Sequence, residues 1–95
     1  MTRLYFSLFF LFSFTFGSIQ SLIDAAEDGD VINVPAGVYY ENINFNGKNI
    51  SLIGEDRNTT IIDGGGNDLV VTFNNSETSD AVLKSFTIRN GSYNN

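Results

Sequence analysis

The chain has 95 residues, with eleven acidic and five basic side chains and neither cysteine nor histidine. That length allows one small domain; the missing cysteine excludes disulfides and thiolate or iron–sulfur chemistry, and the missing histidine removes the commonest general base and zinc ligand. The acidic balance provides no basic stripe to neutralise phosphates, so nucleic acid and anionic lipid are disfavoured as partners.

Residues 1–17 have the three-part layout of a secretory signal peptide. Arg3 gives a positive start, residues 4–16 form an apolar stretch rich in phenylalanine, and small residues close it. Thirteen residues in a helix span about 20 Å, less than the roughly 30 Å of a bilayer core, so a transmembrane anchor is the less favoured alternative. The sequence predicts cleavage after Gly17, a mature N-terminus at Ser18 and no stable membrane span after cleavage.

One amphipathic helix is predicted at the start of the mature chain. Apolar residues fall at positions 19, 22, 23 and 26, which are i, i+3, i+4 and i+7 on one helical face. Ser18 suits the N-cap position, and Gly29 suits a C-terminal stop. A helix this short is unstable alone, so its apolar face must pack on another part of the chain.

After Asp30 the sequence has the pattern of short strands separated by turns. The strand segments are rich in Val, Ile, Phe and Thr, whereas the breaks carry Asn, Gly and Asp. Pro35 and Gly37 are predicted to turn the chain between the first two strands. Two-residue hairpin loops are scarce, which argues against an ordinary antiparallel sandwich. The predicted strand segments are 31–34, 38–45, 49–54, 59–63, 69–73 and 81–88.

The strand pattern repeats after about thirty residues. Three short strands per period indicate one coil of a parallel β-solenoid, in which inward Val, Ile and Phe form columns along the axis. The amphipathic helix then covers the open apolar end of the first coil. Three apolar residues of the first copy correspond to three of the second: Ile32, Phe45 and Ile53 to Ile62, Phe73 and Ile88.

The succession PAGVYYENI, NISLIGE and TTIIDG within residues 35–64 resembles the opening of right-handed parallel β-helix proteins of the pectin lyase-like superfamily. It is similar to the N-terminal third of pectinesterases, whereas AVLKSFTIRNG (81–91) is closer to the repeats of large exported surface proteins. The resemblance covers residues 18–91 and implies the fold. The catalytic carboxylates of these enzymes lie in coils beyond the matched region, so the resemblance places no catalytic residue on this sequence.

The tyrosine pair followed by Glu41 is the candidate carbohydrate contact. Tyr39 and Tyr40 could stack on a pyranose face while Glu41 contacts the sugar. The alternative, which the sequence favours, packs Tyr39 at a coil corner and leaves Glu41 solvated. No other substrate contact is proposed from the sequence.

Asp24, Asp28 and Asp30 are a second set of acids considered for catalysis. A paired-carboxylate mechanism needs two carboxyls about 5–10 Å apart across a cleft, one of them with a raised pKa. These three acids lie at a helix end and in the turn after it, where acids are ordinarily solvated. The sequence therefore predicts no catalytic residue among them.

The segment DGGGNDLVV (63–71) faintly resembles the calcium-binding turn of some β-solenoids. Calcium takes six to eight oxygen ligands, and Asp63, Asn67 and Asp68 supply too few from one unrepeated turn. A glycine-rich corner is the favoured interpretation. The sequence predicts no cofactor, with calcium as the weakly supported alternative.

These patterns predict an all-β fragment of a right-handed parallel β-helix. It comprises an N-terminal cap helix and the first two coils over residues 18–95, after the signal peptide. Solenoids need at least about three repeats and a cap at each end. We therefore expect this incomplete domain to be marginally folded or self-associating, because its last strands leave unpaired edges that recruit further coils or other chains.

The favoured function is that of an N-terminal scaffold in an exported, non-catalytic β-helix repeat protein. Such a protein would be secreted or lie at the cell surface and would contact polysaccharide or cell-surface glycan. The alternative is the N-terminal fragment of a polysaccharide-active enzyme, pectinesterase-like or pectate lyase-like, whose catalytic coils lie beyond residue 95. In both cases further β-helix coils of the parent chain are the expected partner.

Overall fold

The structure, a computed structural model, describes residues 18–92. The predicted signal peptide lies outside the described residues. Within residues 18–92 the chain forms one short α-helix and eight β-strands. Their bounds are α1 Ile19–Ala25, β1 Val31–Val34, β2 Gly37–Tyr40, β3 Ile43–Asn44, β4 Ser51–Gly54, β5 Thr60–Asp63, β6 Val71–Thr72, β7 Val82–Lys84 and β8 Thr87–Arg89.

Helix α1 begins at the predicted N-cap. The hydroxyl oxygen of Ser18 accepts a hydrogen bond from the N–H of Ser21 (3.0 Å), which satisfies one of the unpaired donors of the first turn. The apolar face lies against the sheets as the helical spacing predicts. Its four members are all buried, namely Ile19, Leu22, Ile23 and Ala26.

The helix ends earlier than predicted. Its last residue is Ala25, so Gly29 is not the C-terminal stop. Gly29 lies in the following turn with φ +91°, and its N–H donates to the carbonyl of Asn49 (2.9 Å). A residue without a side chain adopts this left-handed conformation at little cost, and the chain can then bond to its next pass. Over residues 18–92, no helix reaches the length and hydrophobicity of a membrane span.

The strands form three sheets in which every strand pair is parallel. The first sheet has the order β1-β4-β7, the second sheet β2-β5-β8 and the third sheet β3-β6. The chain visits the first, second and third sheets in that order, and each pass lies alongside the previous one. The result is an all-β arrangement of parallel sheets, with helix α1 packed on β1 and β3 of the first pass.

Inward-facing side chains of successive passes line up in columns. Next to the third sheet, the rings of Phe45 and Phe73 have centroids 4.3 Å apart and are tilted by 47°. Parallel register places equivalent side chains above one another, so apolar residues at paired positions fill the interior together. The paired inward residues are Ile32, Leu52 and Leu83 in the first sheet and Tyr39, Ile62 and Ile88 in the second sheet.

Two of the predicted strands are each divided in two. Segment 38–45 forms β2 and β3, and segment 81–88 forms β7 and β8. The second break falls at Ser85, whose backbone adopts φ +68°. Since a left-handed residue does not continue an extended strand, the chain turns there into the next sheet. The first break falls at residues 41–42, whose side chains bond to other elements.

Of the three residue alignments predicted between the two copies of the repeat, one is correct. Phe45 does stack on Phe73, which confirms that alignment. Ile32, however, pairs with Leu52 rather than aligning with Ile62. The offset between paired strands differs from sheet to sheet, because the corners between the strands differ in length. A single period therefore cannot align all three sheets.

The third predicted alignment, Ile53 with Ile88, is wrong. Ile53 pairs with Asn33 and with Lys84 in the first sheet, at a position that faces outward. Ile88 belongs to the second sheet, where it pairs with Ile62. Segment 49–54 therefore lies beside the first strand of the chain and starts the second pass, rather than completing the first.

Candidate functional site

Glu41 is bonded to the N-terminus of helix α1. Its Oε2 accepts from the N–H of Ile19 (2.8 Å) and its Oε1 from the N–H of Gln20 (3.0 Å). These are two of the donors that a helix leaves unpaired in its first turn, where negative charge is favoured. The alternative of a solvated Glu41 is wrong, because both carboxylate oxygens hold the helix on the first pass.

Two further side chains fix the helix. The Gln20 amide bonds to the backbone of Asn44 at two points, with Nε2 donating to the carbonyl (2.9 Å) and Oε1 accepting from the N–H (2.8 Å). At the other end, Lys48 Nζ donates to the carbonyls of Ile23 (2.9 Å) and Asp24 (2.7 Å). The helix is thus held at its N-terminus, along one side and at its C-terminus.

The two tyrosines lie on opposite faces of β2. Tyr39 faces inward, packs against the hydrophobic core and donates from its hydroxyl to the carbonyl of Pro35 (2.6 Å). Burial, with smaller contributions from the charges of Glu41 and Glu55, raises the pKa of the Tyr39 phenol. Tyr39 therefore packs at the corner, as the alternative interpretation held.

Tyr40 is the exposed member of the pair, with 72% of its surface accessible. Successive strand residues point to opposite faces of a sheet, so Tyr39 and Tyr40 cannot stack on one sugar ring together. The proposed joint platform is not formed. Of the three candidate residues, Tyr40 alone offers an aromatic face to a ligand.

Tyr40 belongs to a row of three polar side chains on the outer face of the second sheet. Tyr40 pairs with Asp63 in the strand register, and Asp63 pairs with Arg89. Asp63 is 4% exposed, and its Oδ2 accepts from Arg89 Nε (2.8 Å) and Asn90 Nδ2 (2.8 Å). Its Oδ1 accepts from the N–H of Gly65 (2.9 Å). We call Tyr40, Asp63 and Arg89 the outer row.

The electrostatics of the outer row keep Asp63 and Arg89 charged. The hydrogen bond from Arg89, and then those from Gly65 and Asn90, outweigh burial and hold the pKa of Asp63 below its usual value. The hydrogen bond to Asp63, and then the Asp63 charge, raise the pKa of the Arg89 guanidinium above its usual value, with a smaller contribution from Tyr40. With Nε bound to Asp63, the guanidinium is held on the same face of the sheet as Tyr40, two strands away in the register.

The Asp63–Arg89 pair was not predicted from the sequence. Asp63 follows the apolar pair of TIID and Arg89 follows the last isoleucine of FTIR, so both occupy the same place in two strand segments. Aligning Ile62 with Ile88 would have placed the two charges side by side. The predicted alignments paired Ile62 with Ile32 and Ile88 with Ile53, so they did not place Asp63 next to Arg89.

The acids at the helix end each bond to a nearby donor. Asp24 Oδ1 accepts from Gln20 Nε2 (3.0 Å), Asp28 Oδ1 from the N–H of Asn49 (2.8 Å), and Asp30 Oδ2 from the N–H of Glu27 (2.9 Å). These bonds fix the turn and its contact with the next pass. Within residues 18–92, no group of three or more His, Cys, Asp or Glu side chains is arranged to hold a metal ion.

The glycine-rich turn after β5 is held by hydrogen bonds from protein donors. Asp63 faces a guanidinium, and Asp68 Oδ1 accepts from the N–H of Leu69 (2.7 Å). Asn42 Nδ2 donates to the carbonyls of Gly64 (3.1 Å) and Leu69 (2.9 Å), which ties the turn to the preceding pass. The Arg89 guanidinium already pairs with the Asp63 carboxylate, and its positive charge opposes a calcium ion at the same oxygen, so Asp63 does not suit a calcium site.

A surface pocket of about 260 Å³ lies at the proline corner and is lined by Asn33, Val34, Pro35 and Glu55. Glu55 Oε1 accepts from the N–H of Ala36 (3.1 Å), which fixes the corner. The walls of the pocket are apolar, and the Glu55 carboxylate is already bonded to the backbone. We therefore assign the pocket a structural role at the corner.

Comparison with family models, with curated proteins and with solved structures found no match to this chain.

Proposed function

We propose that residues 18–92 are the capped N-terminal part of a right-handed parallel β-helix and act as a non-catalytic scaffold that contacts carbohydrate. One observation carries the proposal: successive passes of the chain pair in parallel, in the same sheet order, over shared apolar columns. The right hand follows from the strong preference of parallel crossover connections. The helix over the first pass corresponds to the cap that solenoids need.

The resemblance of PAGVYYENI, NISLIGE and TTIIDG to pectin lyase-like proteins supports the same assignment. The proposal includes export, because residues 1–17 have the layout of a cleaved leader. The protein is then secreted or held at the cell surface, where carbohydrate is the abundant ligand class. Further β-helix coils of a parent chain extend the scaffold in this proposal.

The outer row provides the proposed carbohydrate contact. Tyr40 offers an exposed ring for stacking on a sugar face, and Arg89 offers N–H donors from a guanidinium that Asp63 already orients. Aromatic rings present large contact area with little loss of side-chain entropy, and an oriented guanidinium suits hydroxyl and carboxylate oxygens. This contact replaces the Tyr39, Tyr40 and Glu41 set, since Tyr39 and Glu41 are bonded within the fold.

We propose no catalysis for this part of the chain because its acids are used as structural acceptors. Glu41 binds the helix, Asp28 binds the next pass and Asp63 binds Arg89. A general acid or nucleophile needs a carboxyl that faces substrate. The alternative is that this is the N-terminal fragment of a pectinesterase-like or pectate lyase-like enzyme, and the similarity of PAGVYYENI and NISLIGE to pectinesterases keeps it open.

Binding to immobilised polysaccharides tests the proposed contact. We expect the chain to bind at least one neutral or uronate-containing polysaccharide, and Tyr40→Ala to weaken that binding about fivefold through loss of the stacking surface. Val38→Ala is the matched control, because Val38 is also exposed on the outer face of β2. Equal binding by Tyr40→Ala and Val38→Ala would overturn the contact. Turnover of pectin by the wild-type chain would favour the enzyme alternative.

A further inference from the structure

The positive charge of Arg89 in the outer row is already paired within the protein. Its Nε donates to Asp63 Oδ2 at 2.8 Å, and the Asp63 side chain is 5% exposed whereas that of Arg89 is 44% exposed. Asn90 Nδ2 also donates to Asp63 Oδ2, and the N–H of Gly65 donates to Asp63 Oδ1. A ligand therefore meets the guanidinium, while the carboxylate that balances its charge is buried.

The bond at Nε also limits how Arg89 can bind an anion. Arginine binds carboxylates best through two parallel N–H donors, and the pair that includes Nε is already engaged by Asp63. Donors remain on the two Nη atoms, but Asp63 balances their positive charge at neutral pH, because the pKa of Asp63 is held below its usual value. Arg89 is thus a hydrogen-bond donor with little net attraction for a carboxylate.

The surroundings of the outer row add negative charge. Glu41 and Glu55 lie close enough for their charges to act on the phenol of Tyr39, the residue next to Tyr40. Residues 18–92 contain four of the five basic side chains and all eleven acidic ones, which gives a net charge of −7. This excess repels an anionic polysaccharide and leaves the binding of an uncharged one unaffected.

The exposed ring of Tyr40 also favours an uncharged ligand. The face of an aromatic ring carries partial negative charge, which attracts the C–H groups of a sugar and disfavours an anion. Tyr40, Asp63 and Arg89 are partners in the strand register, and adjacent strands lie about 4.8 Å apart, so the three residues follow one line across the sheet. One oligosaccharide can therefore contact both the ring and the guanidinium.

We infer that the outer row selects uncharged sugar residues over uronates. Tyr40 stacks on the sugar ring, Arg89 donates to hydroxyl oxygens, and Asp63 sets the selectivity by balancing the charge of Arg89. The selectivity rests on the carbohydrate contact proposed above and adds the class of sugar that the contact accepts.

Pairs of ligands that differ only in charge test this selectivity. The first pair is polygalacturonate and its carboxyl-reduced, neutral derivative. The second pair is cellohexaose and its derivative with the C6 hydroxyls oxidised to carboxylates. Isothermal titration calorimetry of the full chain measures binding at ionic strengths of about 0.01 M and 0.15 M, where the Debye length is about 30 Å and 8 Å. We expect the neutral member of a bound pair to bind about fivefold more tightly at low salt, and the difference to narrow at the higher salt.

Asp63→Asn separates the local charge balance from the overall charge of the chain. It removes the charged partner of Arg89, so we expect the affinity for the uronate member to rise about fivefold relative to the neutral member. Asp80→Asn is the matched control, because Asp80 is exposed, lies outside the outer row and changes the net charge by the same amount. It should keep a preference close to that of the wild type.

Tighter binding of the uronate member by the wild type, or equal binding of the two members at low salt, would overturn the selectivity and leave the carbohydrate contact in place. A folded Asp63→Asn protein with the wild-type preference would overturn it as well. If Asp63→Asn loses its β-sheet circular dichroism, the wild-type comparison at the two salt concentrations decides alone. Binding to no member of either pair would count against the carbohydrate contact itself, and the selectivity would fail with it.

Discussion

Glu41 and Lys48 bind opposite ends of helix α1. The Glu41 carboxylate accepts from the first two N–H groups of the helix, and the Lys48 ammonium donates to the carbonyls of Ile23 and Asp24. Each charge has the sign that its helix end favours. Because the two residues flank β3 in sequence, one short segment of the first pass positions the whole helix over the apolar columns.

Replacing Glu41 should loosen the helix. We expect Glu41→Ala to lower the free energy of unfolding by about 1–3 kcal/mol, because it leaves two N–H donors of the first turn without their partner. Urea unfolding followed by circular dichroism measures this. Asp80→Ala is the control, since Asp80 is exposed, and its effect should stay within about 0.5 kcal/mol. Equal stability of the two variants would show that Glu41 does not hold the helix.

The Asp63–Arg89 pair should make the fold sensitive to acid. The pKa of Asp63 is lowered in the folded chain, chiefly by Arg89. Its contribution to stability is therefore fully present above the unfolded-state pKa of about 3.9 and is lost as pH falls through the lower folded value. We expect the melting temperature to fall steeply below about pH 4 in the wild type.

Asp63→Asn should be less stable than the wild type at pH 7 and should lose less stability between neutral and acid pH. The loss will not vanish, because hydrogen bonds from Gly47 and Asn75 outweigh burial and lower the pKa of Glu77 as well. Thermal melts at several pH values measure both effects. Asp80→Asn is the control, and the account fails if Asp63→Asn retains the full wild-type dependence on pH.

Gly54 marks the closest approach between passes of the chain. A Cβ atom added at Gly54 would collide with the backbone carbonyl oxygen of Ser85 in the next pass. We expect Gly54→Ala to cost about 1–3 kcal/mol, since the obstructing atom is backbone and cannot rotate away. Thr59→Ala, at an exposed position, is the control. Denaturant unfolding measures the free energy of unfolding of both variants. If Gly54→Ala is as stable as the wild type, the two passes must lie further apart than the structure shows.

The phenylalanine column gives an internal comparison. Phe45 is fully buried and Phe73 is 45% exposed, although their rings are in contact. We expect Phe45→Ala to cost about 3–5 kcal/mol and Phe73→Ala roughly half as much, because less apolar surface leaves water there. Urea unfolding of both variants in dilute protein measures this. A larger effect at Phe73 would mean that the column is buried in the reverse order.

Export predicts a defined N-terminus. If residues 1–17 are a signal peptide, the protein secreted from a suitable host should begin at Ser18, which is also the N-cap of helix α1. Intact-mass measurement of the secreted protein checks this. Retention of residues 4–16 in the secreted protein would contradict a cleaved leader.

Local patterns predicted the elements better than they predicted their partners. The spacing of apolar residues located helix α1 and its buried face, and Ser18 was correctly identified as the N-cap. These features depend on neighbours in sequence, so one helical turn contains the necessary information. The composition of the strand segments likewise located the β-structure, because β-branched residues and turn residues alternate along the chain.

The pairing of strands could not be derived in the same way. Ile32 pairs with Leu52 because a short corner returns the chain to the first sheet early, whereas a longer route separates Phe45 from Phe73. A single repeat period gives one spacing for all strands, so it misaligns strands that are joined by corners of unequal length. The role of Glu41 was hidden for a related reason, since its partners lie on an element that precedes it by more than twenty residues.

Disulfide trapping tests the stacking of the passes most directly, because the chain contains no cysteine of its own. Val31 and Ser51 are partners in the parallel register of β1 and β4, and adjacent strands lie about 4.8 Å apart, within reach of a disulfide. We expect the double variant Val31→Cys, Ser51→Cys to form an intrachain disulfide on oxidation in dilute solution, detected by mass and by gel mobility. Val31→Cys with Ile61→Cys, the partner that a thirty-residue period would give, should stay reduced. Closure of the second pair and not the first would contradict the strand register on which the proposed scaffold depends.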